Sequence, residues 1–249
     1  MIQGIYSATS GMVNSEIMLE VITNNLANVS TTGYKRDDLS FSGMLNPLPS
    51  ANVSALHLVS QSANLDGTTA KFVTDFTQGE LQRTDNPLDL ALDGEGFLVI
   101  QHAKGIRYAR GGSFSRDNAG QLVTADGYPV LGTNGTIQIQ SGQVDIDGAG
   151  QVTVNGIPVD KLRLVDFQDK KGLIKDGENT FVITDTNSTE EPAACEARQG
   201  FLELSNVSPV HEMVKMIECM RVYESYQKTV QSIHETLKKA NEELGKISV

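Results

Sequence analysis

IYSATSGMVNSEIMLEVITNNLANVSTTGYK, residues 5–35, is the stretch whose reading decides the fold. Ile5, Ala8, Met12, Ser15, Leu19, Ile22, Leu26 and Val29 advance in alternating steps of three and four, the a/d seam of a helix. Ser15 is the polar member of that seam. Gly11 weakens such a helix by up to about 1 kcal/mol relative to alanine, and Gly4 lies near its start, so packing has to hold it together. At VSTTGYK the period gives way to β-branched and turn residues, with Gly33 placed where a chain leaving a helix takes a positive φ.

The same period returns at the other end of the chain. After Pro209, the residues Val230, Ile233, Leu237, Ala240, Leu244 and Ile247 again step by three and four. Met213, Met216, Met220, Tyr223 and Tyr226 extend the stripe upstream with one slipped step, and Asn206 and Ser208 are candidate N-caps. A helix from about Ser208 to Lys246 would be on the order of 55–60 Å long, and the N-terminal one about 40 Å.

Between the two lies a different texture. GEGFLVI (94–100), NAGQLVTADGYPVL (118–131), NGTIQIQ (134–140), GAGQVTVNGIPV (148–159), KLRLVDF (161–167) and ENTFVIT (178–184) are short apolar runs divided by glycine-bearing turns. Such runs predict antiparallel strands joined by hairpins. Residues 36–70 keep no period and include Pro47 and Pro49, which predicts an extended linker. The expected fold is therefore α+β: a discontinuous α-helical coiled-coil domain built from both chain termini, 1–35 and 206–249, with an inserted antiparallel β domain, 71–205. A lone helix pair would expose a long apolar stripe, so copies of the chain are expected to associate.

Bulk properties narrow the function. The chain has 249 residues and a formal charge of −11, from 31 acidic and 20 basic residues, and it contains no basic run. That balance repels a phosphate backbone, so no nucleic acid partner is expected. No apolar stretch approaches the ~20 residues of a bilayer span, and the N-terminus lacks the basic start and apolar run of a cleaved signal. No membrane insertion and no cleaved signal peptide are therefore expected. The two cysteines, Cys195 and Cys219, make no disulfide scaffold.

No catalytic constellation emerges. His57, His102, His211 and His234 stand apart without an HExxH frame. DIDGAG, 145–150, lacks the later ligands of a calcium loop. Ser113 and Ser115 lack GxSxG, and GEGFL lacks the third glycine and following helix of a dinucleotide loop. The expectation is a non-enzyme with no cofactor and no metal.

Three stretches carry a resemblance. SGM (10–12) with ITNNLANVSTTGYKRD (22–37) is similar to the signature of the flagellar basal-body rod and hook family. DFTQGELQRTDNPLDLALDGEGFLVI (75–100) and YARGGSFSRDNAGQLVTADGYPVLG (108–132) look like the phrases of its β domain. QGFLELSNVSPVHEMVKMIECMRVYESYQKTVQS (199–232) resembles its closing helix. KLRLVDFQDKKGLIKDGENTF (161–181) and IYSATSGM (5–12) are closer to proximal-rod than to distal-rod subunits.

The resemblance implies a structural subunit of the bacterial flagellar basal body that spans the periplasm as part of the rod. Its partners would be itself, the other flagellar axial proteins and the flagellar export apparatus. The candidate subunit-interface residues are Ile5, Met12, Leu19, Ile22, Asn24, Asn25, Leu26 and Asn28 from the first helix. Met216, Met220, Tyr223, Val230, Ile233 and Leu237 are the candidates from the last. The three asparagines are candidates because their amides exceed what helix capping needs.

Overall fold

A computed structural model describes residues 2–43, 64–65, 68–177, 179–184 and 188–247. It contains an N-terminal helix α1, Ile2–Ala27, a C-terminal helix α2, Pro209–Ile247, and a strand-rich stretch between them. The strand pairings between Leu81 and Glu203 are antiparallel, as the glycine-turn pattern predicts. No helix among the described residues is long and apolar enough to cross a membrane.

The chain divides into two compact units, and neither is continuous in sequence. The first holds α1, α2 and the described residues between Asp37 and Val73; the second holds 28–36 and 74–207. The distal half of the signature thus belongs with the strands rather than with the helix it follows.

The linker expected over 36–70 contains strand instead. Asp37–Gly43 pairs into a three-stranded sheet with Thr68–Thr74 and Asn64–Leu65. Leu39 and Phe41 do alternate with polar residues there, but the partner strand begins some thirty residues later, beyond the range of a local period. Pro47 and Pro49 lie outside the described residues.

In the second unit the run Phe97–His102 is the pivot. It sits inside a six-stranded sheet, between Gly105–Ala109 and Leu164–Phe167. Its side chains alternate between two cores. Leu98 packs with Leu90, Leu92, Val130, Ile137 and Val152, while Phe97 and Val99 pack with Tyr108, Val165, Phe167 and Phe181. A strand covered on both faces reads as an unbroken apolar run, which is why GEGFLVI shows no alternation. The rings of Phe97 and Phe181 meet edge to face at 5.8 Å and those of Tyr108 and Phe167 at 4.9 Å, a favoured aromatic geometry.

Near the end of this unit, Phe201–Glu203 pairs with Leu81–Arg83, bringing Glu203 opposite Leu81. The chain then passes through Val207 into α2.

Candidate assembly interface

In the first unit, α1 and α2 pack antiparallel along a row of small residues. The Cys219 thiol donates to the Ser15 carbonyl at 3.2 Å. Gly11 faces Tyr226, and Gly4 faces Ile233. Ala8, Ser15 and Ile22 are buried, and the Ser15 hydroxyl donates back to the Gly11 carbonyl at 2.8 Å. Small side chains on α1 thus make room for large ones on α2. Burial pushes the Cys219 thiol above its ordinary range, which keeps it protonated and unreactive.

A Cβ on Gly11 would fall 2.5 Å from the Tyr226 ring. Leucine is a far better helix former than glycine, so propensity alone predicts that Gly11→Leu stabilises. The overlap predicts the opposite: a loss of about 1–3 kcal/mol, visible as a lower thermal midpoint by far-UV circular dichroism, with Tyr226→Ala in the same chain restoring it.

Among the side chains described on α2, the buried and half-buried ones are Glu212, Met216, Cys219, Tyr223, Tyr226, Val230, Ile233 and Leu237, with Lys215 beside the first; those of Ala240, Leu244 and Ile247 lie outside the described residues. The row from Glu212 to Leu237 steps by four and three without interruption. The slipped step expected from Met213 and Met220 is absent because Glu212 and Cys219 occupy those places in the row, leaving Met213 and Met220 exposed. Glu212 is 1% exposed, with the Lys215 ammonium 3.5 Å from its carboxylate.

On α1, Ile5, Met12, Leu19 and Leu26 are half-buried along one flank. Asn25 is buried, and its side chain both donates to the Asp37 carbonyl (2.8 Å) and accepts from the Asp37 amide (3.0 Å), closing a ring within the same chain. Asn24 is exposed and lines a shallow groove with Glu16, Leu19, Glu20, Thr23 and Ala27. Asn28 accepts at 3.1 Å from the amide of Thr31 and at 3.2 Å from its hydroxyl, the turn that ends the helix.

The rest of the signature is held in the second unit. Gly33 has φ +70° and donates its amide to the Glu203 carbonyl at 2.7 Å. Lys35 is fully buried, and its ammonium donates to Glu203 Oε1 at 2.6 Å and to the Thr77 carbonyl at 2.7 Å. Glu203 Oε2 accepts from Arg110 Nε at 3.1 Å, and Oε1 also accepts from the Gly79 amide at 2.9 Å. The Arg110 guanidinium donates to the carbonyls of Gly96 and Gly94 at 2.6 and 2.9 Å. One buried carboxylate thus balances two buried cations, and each charged group has hydrogen-bond partners. Burial holds the Lys35 ammonium below the ordinary lysine range, and the Glu203 carboxylate opposes that shift.

Asn206 is no helix cap. Its Oδ1 accepts from the Arg36 amide at 2.7 Å, and its Nδ2 donates to the Asp75 carbonyl at 2.8 Å and to the Thr77 carbonyl at 3.1 Å. The helix begins three residues later, too far for that amide to cap it. Arg36 in turn pairs with Asp75 at 3.1 Å. Lys35, Arg110 and Glu203 give no local sign of this role, since their partners lie far away in sequence; the polar Lys and Arg read as surface residues.

Comparison with known proteins matches this arrangement segment by segment. A flagella basal body rod protein model matches residues 5–35, a flagellar hook protein FlgE/F/G D1 domain model matches 91–154, and a flagellar basal body rod FlgEFG protein C-terminal model matches 198–243. The flagellar basal-body rod protein FlgF of Caulobacter vibrioides is 36% identical over 98% of this chain and 98% of its own length. The flagellar basal-body rod protein FlgG of Bacillus subtilis is 33% identical over 95% and 97%, and the hook-basal body complex protein FlhO of the same organism is 30% identical over 99% and 100%. With its signature, β-domain and closing-helix segments all matched and relatives aligned along nearly their whole length, this chain belongs to the flagellar basal-body rod protein family of the FlgF/FlgG type.

Proposed function

We propose that the chain is a non-catalytic axial subunit of the proximal rod, of FlgF type, which polymerises through coiled-coil packing of its terminal helices into a torque-bearing shaft around the export channel. Its neighbours are further copies of itself and the other rod proteins, and it reaches them through the flagellar export apparatus. The phrase at 161–181 and the FlgF relative support the proximal assignment.

One observation carries the polymerisation. With one row of α2 packed against α1, a second row stays open: Val210, Met213, Val214, Ile217 and Met220 are 67, 45, 49, 52 and 50% exposed. These residues recur at helical spacing along three turns, and a contiguous apolar face of this kind marks a surface covered by another protein. Each such side chain contributes roughly 1.5–3 kcal/mol when buried, so even a few per contact accumulate along a polymer.

The test is Met213→Lys with Ile217→Lys, replacing the gene in its own organism. The purified variant is expected to match the wild type in helicity, because neither residue supports the monomer. Swimming is expected to be lost, with basal bodies that end before the hook. Wild-type swimming on intact rods would exclude this face as an assembly surface.

A further inference from the structure

We propose that residues 32–36 act as a latch, whose docking between Glu203 and Asn206 couples closure of the β unit to pairing of α1 with α2 in the free chain. This goes beyond polymerisation and holds for a single subunit.

The segment leaves α1 and returns to the first unit at Asp37, yet everything that grips it lies in the second unit. Asn179 donates its side-chain amide to the Thr32 carbonyl. Lys175 donates to the Lys35 carbonyl and lies over the Tyr34 ring at 3.9 Å. From the other side, Glu203 and Asn206 take Gly33, Tyr34, Lys35 and Arg36 in turn: a carbonyl for the Gly33 amide, an amide to the Tyr34 carbonyl, a carboxylate for the Lys35 ammonium and Oδ1 for the Arg36 amide. Residues 33–36 therefore lie alongside 203–206 in one unit, running in the same direction with Gly33 beside Glu203 and Arg36 beside Asn206, while α1 and α2 pack together in the other. Both pairings join the same two stretches of chain.

The energetic consequence follows from tether length. When the latch is closed, α1 is tied near the start of α2 by 28–31 on one side and 207–208 on the other. When it is open, and the pairing of Asp37–Gly43 with Thr68–Thr74 opens with it while the strands of the second unit remain folded, the covalent route from α1 to the β unit runs through residues 28–73. Lengthening a tether from a handful of residues to several tens lowers the effective concentration of its ends on the order of tenfold. A helix interrupted by Gly4 and Gly11 depends on that concentration, because it is a poor helix alone.

Hydrogen exchange on the full chain, dilute enough to be monomeric, tests the latch. Asn206→Ala removes the clamp on Arg36, and Asn179→Gly releases Thr32 while keeping a residue that accepts the φ of +57° found there. In both variants amides across Ala8–Ile22 are expected to exchange about tenfold faster than in the wild type. Amides of the central strand Phe97–Ile100 should keep their wild-type rates.

Unchanged exchange in α1 in both variants would overturn the proposal. So would an unprotected α1 in the wild type, because the closed latch would then not pair the helices. Acceleration of Phe97–Ile100 together with α1 in both variants would also overturn it, by showing that these residues only stabilise the strands. None of these readings depends on whether the chain polymerises.

Discussion

Glu203→Ala is expected to lower the unfolding free energy of the β unit by about 3–5 kcal/mol, whereas Lys35→Met is expected to cost about 1–2 kcal/mol, although each removes one end of the same ion pair. The asymmetry comes from the charge count. Glu203 lies between the Lys35 ammonium at 2.6 Å and the Arg110 guanidinium at 3.1 Å, with side chains 0–4% exposed. Without the carboxylate, two like charges remain buried without compensation, and the Gly79 amide loses its acceptor. Without Lys35, the carboxylate keeps Arg110 and the cluster becomes neutral; methionine fills most of the vacated volume. Urea unfolding followed by circular dichroism or tyrosine emission, since the chain has no tryptophan, separates the two variants. Equal costs would mean that charge balance is not what holds the cluster.

Ile22→Asp is expected to abolish rod assembly, while Thr23→Asp, one residue on, leaves it intact. Ile22 is 2% exposed on α1 and Thr23 is exposed. The first substitution forfeits roughly 1.5–3 kcal/mol of apolar burial and adds the desolvation of a carboxylate, which no Lys or Arg of α1 can offset because α1 contains none. A helix pair of marginal intrinsic stability cannot absorb both losses. The second substitution places the same charge in water. Far-UV circular dichroism of the purified chains and motility of strains carrying each variant give the answer, and comparable motility in the two strains would refute burial of Ile22 as the determinant.

The fold was legible where its determinants are local. Period and glycine placement locate both helices and the turn-divided strands, because a helix seam or a hairpin is specified within a dozen residues. Two features escaped for the same physical reason. The strand Asp37–Gly43 has its partner at Thr68–Thr74, and Lys35 finds its counter-ion 168 residues away; neither distance leaves a mark in a sliding window. A third feature was misread through residue type. Met213 and Met220 are more apolar than Glu212 and Cys219, so a hydrophobicity count prefers them, yet the helix places the charged and small residues in the buried row. Asn206 has the chemistry of an N-cap, and that same amide is what joins Arg36, Asp75 and Thr77.

The pairing of Lys35 with Glu203 also sets a clock. During synthesis, or threading that begins at the N-terminus, residues become available in sequence from Lys35 towards Glu203, and this β unit is not covalently complete until Glu203 is free. Strands alone can form earlier, but the buried cation near the start must wait for its anion near the end, and non-local closures of this kind are slow. A nascent chain is thereby kept open through most of its emergence, in the state a narrow conduit accepts, and commits to its final shape only when nearly all of it has arrived.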